Sequence, residues 1–258
     1  MLGKLLKHEF KANAKMYIPL IIVFTIISVM MRIMTAISGN IDELPISLMV
    51  TFGLLSMIFF MGMFALCFYS ILGSTSRFQK NLFTDEGYLM HTLPVPSHYH
   101  IFTKLIIGVV WFVINVIVCI LCLFIGFMEA SDITEFATVI SDMAEGIAYA
   151  FREYPGEALL TLLLMVATYC AFILLCYTST ALSSFFNKGK GFITTLLIIG
   201  AIIANNIITS IAVELAVRLE LDLTPTTALI ICTLYFALIA VGLFFAVNSI
   251  MSKKLNLE

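Results

Sequence analysis

Six long apolar runs, separated by polar intervals, form the main pattern of this 258-residue chain. Each run contains roughly 20 or more mostly apolar residues, the length that a helix needs to cross the hydrocarbon core of a bilayer. Strand-like alternation is absent from the runs, and helices satisfy their own backbone hydrogen bonds in lipid. The pattern therefore predicts an all-α polytopic membrane protein whose spans cover about residues 17–37, 48–73, 105–128, 158–185, 192–213 and 226–250.

The composition agrees with this prediction. Hydrophobic residues make up 61% of the chain and charged residues 12%, whereas soluble domains are about half apolar and about a quarter charged. No repeat, low-complexity linker or second soluble domain is visible in the sequence. Residues 1–258 are therefore predicted to form a single membrane domain.

The first 15 residues are basic and amphipathic. Residues 1–15 place Leu2, Leu5, Leu6 and Phe10 on one helical face and four lysines around the remainder. They predict a short elbow helix in the headgroup region, and a plain basic anchor for the first span fits them equally well. A signal peptide fits less well, because the apolar run that follows exceeds the usual h-region of ~7–15 residues.

Lysine and arginine lie mainly on one side of the predicted spans. With both termini in the cytoplasm, eleven of the 14 basic residues are inside. The other three, Arg32, Arg152 and Arg218, lie at or beyond the outer boundary. This bias follows the positive-inside rule and predicts a multi-pass protein of the cytoplasmic membrane with both termini inside.

Residues 129–157 form a long acidic connection on the predicted outer side, with seven carboxylates and Arg152 as the one basic residue. Apolar residues recur in it at helical spacing, which predicts an amphipathic helix. These residues are Ile133, Phe136, Ala137, Ile140, Met143, Ala144, Ile147 and Phe151. The helix would lie over the outer mouth of the bundle or on the membrane surface. It would gate an exit or contact a cationic substrate, or it would be a solvated cap, the commoner role for such a loop.

The central parts of the spans contain no Asp, Glu, Lys or His, and the chain has no GxxxxGK[ST] phosphate-binding loop. Proton relays and intramembrane enzymes use titratable groups of this kind. The sequence therefore disfavours an enzyme and an ion-driven transporter. No cofactor is expected in this chain, and the energy for any transport must come from another chain.

The cysteines and histidines do not predict a metal site. All six cysteines lie in apolar runs and are expected to pack as small apolar residues. Cys119 and Cys122 form a CxxC without the polar neighbours that favour thiolates. Three of the four histidines, His91, His98 and His100, lie in one interval with two prolines. They are expected to be surface residues rather than zinc ligands.

Three asparagines, Asn115, Asn205 and Asn206, lie near the middle of predicted spans. Asparagine in lipid usually hydrogen-bonds to a neighbouring helix, so helix–helix bonding is favoured over a substrate contact for all three. Gly200 and Ala204 form a small-xxx-small pair one turn earlier on the fifth span. Such pairs let helices approach closely, which makes this span the candidate for a subunit interface.

Residues 77–104 form the longest polar interval on the predicted cytoplasmic side. Thr84 is a suitable N-cap, Asp85 and Glu86 suit the first turn of a helix, and Pro94 ends it. The interval therefore predicts a short cytoplasmic helix between Thr84 and Pro94. Its apolar side chains, available to a groove on a soluble partner, are Tyr88, Leu89 and Leu93.

The sequence NLFTDEGYL at residues 81–89, followed by TLPV at 92–95 and Lys104-Leu105, resembles a known cytoplasmic loop. It is similar to that of small ATP-binding-cassette (ABC) permeases of the type-2 exporter class from Firmicutes-type bacteria. The opening MLGKLLKHEF resembles their elbow helix, and the six-span order with both termini inside also matches. The resemblance implies a coupling helix that contains Thr84, Asp85, Glu86, Gly87, Tyr88, Leu89, Leu93 and Pro94.

The function that this resemblance implies is that of a half-transporter. Such a chain pairs with itself or a related permease in the lipid bilayer and docks two ATPase subunits, which bind the ATP and magnesium. Related permeases export antimicrobial peptides, drugs or lipid-linked polymers, and no nucleic acid is expected as a partner. Two alternatives stay open: a scaffold, immunity or regulatory protein that docks a cytoplasmic partner and transports nothing, and a secondary transporter. The missing intramembrane charges disfavour the second.

Overall fold

The computed structural model describes residues 2–38, 45–83, 97–127, 133–186, 189–219 and 224–253. Within these ranges the chain forms seven helices and no strand. They are α1 (Leu2–Ser38), α2 (Ile46–Phe83), α3 (Ser97–Phe127), α4 (Ile133–Glu153), α5 (Pro155–Ser183), α6 (Lys190–Arg218) and α7 (Pro225–Lys253). The all-α class predicted from the sequence is confirmed.

Six of these seven helices, all except α4, are long and apolar enough to cross a membrane. They cover the six predicted spans except for residue 128, which lies outside the described residues, and residues 184–185, which follow α5. The protein is a multi-pass membrane protein. The helices continue past the apolar runs; α2, for example, extends the predicted span 48–73 to Ile46–Phe83. Pro225 begins α7, a position that suits proline because a first-turn residue needs no backbone donor and proline already has a helical φ.

Two predicted elements differ from the structure. Residues 1–15 are not a separate elbow helix, because α1 runs unbroken from Leu2 to Ser38. Between Gly3 and Pro19 the sequence has no glycine or proline that could break the helix. Pro19 itself lies inside the helix and does not end it. The polar interval 77–104 is also helical at both ends, since α2 reaches Phe83 and α3 begins at Ser97.

The chain divides into two compact units, the first of which comprises Met1–Gly73 and Val110–Ala150. Its buried apolar core contains Phe24, Phe59, Leu66, Cys119 and Cys122. The rings of Phe24 and Phe59 stack with their centroids 5.2 Å apart. The two thiols therefore pack among apolar side chains, as the sequence predicted.

The second unit comprises Ser74–Val109 and Phe151–Glu258. Its buried core contains Phe78, Ile101, Ile173, Leu174, Tyr177, Val247 and Met251, which come from α2, α3, α5 and α7. Helix α5 contributes the largest share of this core, whereas α6 has no buried residue. The membrane helices of this unit therefore differ greatly in how much of their surface the chain itself covers.

Candidate functional site

The predicted coupling helix lies outside the residues that the structure describes. Its members are Thr84, Asp85, Glu86, Gly87, Tyr88, Leu89, Leu93 and Pro94. Their proposed role stays a prediction. The structure does describe the helices before and after this segment in the sequence, α2 to Phe83 and α3 from Ser97.

The end of α2 is fixed to α5 by one aromatic residue. Phe78 is fully buried, and its ring stacks on that of Tyr177 with centroids 4.1 Å apart and an interplanar angle of 7°. One turn earlier, the hydroxyl oxygens of Ser74 and Tyr177 are 2.7 Å apart and share a hydrogen bond. Because both contacts are buried, the last turns of α2 and the C-terminal third of α5 are expected to move together.

The start of α3 belongs to the same core. Ile101 is fully buried in it, and the Tyr169 hydroxyl of α5 donates to the Gly108 carbonyl at 3.0 Å. A Cβ added at Gly108 would lie 3.1 Å from the Ser74 hydroxyl oxygen and 3.2 Å from a methyl carbon of Ile173. Helices α2, α3 and α5 therefore approach one another closely around Gly108.

His100 and Lys104 lie on this packed part of α3 and are 4% and 6% exposed. The prediction that His100 is a surface residue is therefore wrong. The chain is helical from Ser97 rather than extended, so His100 and Lys104 share a face with the buried Ile101. His98 is exposed, as predicted, and His91 lies outside the described residues.

The two neighbouring asparagines of α6 have different surroundings. The Tyr235 hydroxyl of α7 donates to Asn205 Oδ1 at 2.8 Å, which confirms the predicted helix–helix bond for Asn205. Asn206 lies about 100° further around the helix. It is exposed, and its side-chain nitrogen donates to the Ile202 carbonyl of its own helix at 2.9 Å. The prediction that Asn206 bonds to a neighbouring helix is therefore wrong for the helices of this chain.

Asn206 begins a polar stripe on the exposed side of α6. Ser210 and Glu214 follow at four-residue spacing, and Glu214 pairs with Arg218 one turn later. Asn206, Ser210 and Glu214 line one shallow groove of about 350 Å³ together with Ile203, Ile207 and Ile211. The groove combines apolar walls with groups that can donate and accept hydrogen bonds.

Gly200 and Ala204, the predicted interface pair, are also exposed on α6. A Cβ added at Gly200 would meet no atom within 4 Å. This chain therefore leaves their surface open, and its role in subunit contact stays a prediction.

A buried polar cluster in the first unit was not predicted as a group. Asn115 Nδ2 donates to the Ser70 hydroxyl at 2.7 Å, which confirms the helix–helix bond expected for Asn115. The Tyr17 hydroxyl donates to the Ser70 carbonyl at 3.1 Å. Trp111 stacks on Tyr17 with centroids 4.9 Å apart. Sequence reasoning passed over Ser70 and Tyr17, although a hydroxyl inside an apolar run is itself a signal of such bonding.

Two atoms of this cluster, Asn115 Oδ1 and Trp111 Nε1, are buried and have no hydrogen-bond partner among the described residues. The two residues are one helical turn apart on α3. An acceptor and a donor are thus both unsatisfied there, an arrangement that a small polar molecule or water can satisfy. Across the described ranges, no group of three or more His, Cys, Asp or Glu side chains could hold a metal ion.

Comparisons of the chain with protein-family models, with curated proteins and with solved structures gave no match.

Proposed function

We propose that this chain is the membrane-spanning permease subunit of an ATP-driven exporter and pairs with a second permease. The observation that carries the proposal is the polar stripe of α6. Asn206 lies near the middle of a 29-residue membrane helix that has no buried residue. Polar groups on this exposed stripe need a neighbour other than lipid. That neighbour is either another protein surface in the membrane or a polar path between two such surfaces.

The energetic argument concerns polar groups in lipid. An amide or hydroxyl without a hydrogen-bond partner costs several kcal/mol in hydrocarbon, on the order of 2–7 kcal/mol by transfer measurements. Asn206 lies about half-way along α6 and Ser210 one turn further on, both on its exposed side. A second permease against this face would offer partners to their free donors and acceptors and would bury the isoleucines between them. The exposed Gly200 and Ala204 would let that helix approach closely.

The driving force would enter through the loop between α2 and α3. In this proposal the segment from Thr84 to Pro94 docks on an ATPase subunit, which supplies the ATP and magnesium chemistry. Movement of the loop would pass through Phe78 to Tyr177, and through Ile101 to the rest of the same core. The permease then acts mechanically, and its own side chains carry no acid–base step.

The test begins with gentle purification of the tagged chain from its native membranes, followed by mass spectrometry of the co-purifying proteins. We expect a stoichiometric ATPase, together with either one permease or two related ones. Glu86→Ala or Leu93→Ala should lower the ATP hydrolysis that the permease stimulates by about tenfold or more, equivalent to about 1.4 kcal/mol of lost coupling.

Glu145→Ala is the matched control, because it also removes a glutamate, in this case an exposed one on α4. It should leave hydrolysis and transport unchanged. Undiminished transport by both loop variants would overturn the coupling role. If no ATPase co-purifies under conditions that preserve other transporter complexes, the same loop would instead dock a regulator, as in a membrane scaffold or immunity protein.

A further inference from the structure

Helix α4 is amphipathic along the part whose side chains the structure describes. Met143, Ile147 and Phe151 follow one another at four-residue spacing and are 49%, 58% and 43% exposed. Asp142, Glu145 and Glu153 project from the other side of the helix, more than 100° away from Ile147. One side of α4 is therefore apolar and open, and the other side is acidic.

The backbone at the end of α4 makes it a separate helix from the membrane span α5. Tyr154 has φ −129° and ψ 57°, which is not helical, and Pro155 occupies the first turn of α5. A proline disfavours helical geometry in the residue before it and cannot donate to the preceding turn. The helix axis is therefore interrupted at Tyr154, and α4 does not simply extend the span.

Both ends of α4 connect along the chain to membrane spans, α3 before it and α5 after it. Its C-terminal end is one residue from α5, which begins at Pro155. In the first turn of α5, Glu157 accepts a hydrogen bond of 2.8 Å from the Thr226 hydroxyl in the first turn of α7. This polar pair indicates that the hydrocarbon region ends near the first turn of α5, where Glu157 is four residues beyond Glu153 in sequence.

The other end of α4 is also held close to the bilayer. The span α3 ends at Phe127, and α4 begins at Ile133. Six residues of chain extend at most about 20 Å. The open apolar side of α4 therefore stays within reach of the lipid headgroups along its whole length.

We propose that α4 lies flat on the lipid surface at this face, with Met143, Ile147 and Phe151 inserted at the boundary of headgroups and acyl chains. Interfacial helices bury an apolar face to a depth of about 5–10 Å in this region. Among the described charged side chains of α4, three carboxylates accompany Arg152 alone. Insertion is therefore driven by apolar burial rather than by attraction to anionic lipids, and a zwitterionic surface suits this helix best.

The experiment places a fluorescent probe on each side of α4 in the full chain, reconstituted in phosphatidylcholine nanodiscs. Ile147→Trp puts an indole on the apolar side, and Glu145→Trp puts one two residues away on the acidic side. The native protein, with its single tryptophan, supplies the background emission to subtract. The quenchers are brominated phosphatidylcholine, which is confined to the bilayer, and iodide, which is confined to water.

We expect brominated lipid to remove about half or more of the emission added by Ile147→Trp, in keeping with an interfacial depth of ~5–10 Å. Iodide should leave that emission unchanged, and Glu145→Trp should show the reverse pattern. Replacing a third of the lipid with anionic phosphatidylglycerol should not increase the quenching by brominated lipid. Phe151→Trp is a second probe of the apolar side if Ile147→Trp lowers the yield of folded protein.

Three results would overturn the proposal. Quenching of the Ile147→Trp and Phe151→Trp probes by iodide would place the apolar side in water. Protection of both probes from both quenchers would show that protein covers it, for instance a second copy of this chain. A strong dependence on anionic lipid would show that charge, and not the apolar side, brings the helix to the membrane.

Discussion

Two membrane helices, α3 and α6, each carry an asparagine near the middle, but the two residues differ in burial and in hydrogen-bond partner. Asn115 of α3 is fully buried and donates to Ser70 on another helix. Asn206 of α6 is exposed and donates to its own backbone. Asn115 is thus bonded to another helix of this chain, although its Oδ1 has no partner among the described residues, whereas the bond that Asn206 donates stays within its own helix. An exposed amide near the middle of a membrane helix points to a protein neighbour outside this chain.

The largest expected effect extends this comparison to aromatic residues. Tyr177→Ala removes a fully buried ring that stacks on Phe78, whereas Phe192→Ala removes a ring of α6 that is 73% exposed. We expect the first change to cost about 3–5 kcal/mol of unfolding free energy, as large-to-small core substitutions do. The second should stay within about 0.5 kcal/mol.

Unfolding of both variants by sodium dodecyl sulfate in mixed micelles, followed by circular dichroism, measures this difference. Equal losses for the two variants would mean that α6 is packed in the isolated chain as tightly as α5 is. The contrast between a packed α5 and an uncovered α6 would then be wrong.

A smaller effect is expected at the asparagines themselves. Asn115→Ala removes the donor to Ser70, and we expect it to cost about 1 kcal/mol, in the range measured for hydrogen bonds between membrane helices. Asn206→Ala removes a bond within one exposed helix and should change the stability of the isolated chain by less than about 0.5 kcal/mol. The same unfolding assay compares them, and a larger cost for Asn206→Ala would contradict the comparison.

The sequence predicted the positions of the helices better than the contacts between them. Length and hydropathy define a membrane helix locally, so the six spans and the amphipathic α4 followed from the pattern alone. Burial of His100 did not follow, because it depends on α3 beginning at Ser97 and on the packing of Ile101 beside it. The different surroundings of Asn205 and Asn206 were also beyond sequence reasoning, since which of two adjacent residues faces α7 is set by tertiary packing.

The stack of Phe78 on Tyr177 was equally hidden. Both rings lie in apolar or mixed stretches, and nothing in their spacing links two positions 99 residues apart in sequence. Ser74 gave a faint indication, because a small hydroxyl residue beside Gly73 is typical of a close helix contact. The coupling segment itself stays a prediction from its sequence.

The smallest expected effects on stability come from alanine substitutions at two glycines, and the two effects have opposite signs. Gly108→Ala brings a methyl group to 3.1 Å from the Ser74 hydroxyl oxygen. Part of this crowding is offset by the better helix propensity of alanine, so we expect a loss of less than about 1 kcal/mol. Gly200→Ala meets no atom within 4 Å and should stabilise the isolated chain slightly, by up to about 1 kcal/mol.

Self-association sharpens this last prediction. If a second permease packs on α6, Gly200→Ala should weaken association in detergent while it stabilises the single chain, and Gly108→Ala should leave association unchanged. Analytical ultracentrifugation at several protein-to-detergent ratios measures both. Association that is indifferent to Gly200→Ala would remove this residue from the predicted interface.

The length of α2 has a consequence for how a soluble partner reaches the chain. Its 38 residues make a rod of about 57 Å, whereas a bilayer with its headgroups is about 40–45 Å thick. At an average tilt of about 20°, the rod still spans about 54 Å along the membrane normal. The rod is therefore about 10 Å longer than the bilayer with its headgroups is thick, and this excess is roughly the diameter of one helix. A partner that binds the part of α2 beyond the headgroups would need no contact with lipid.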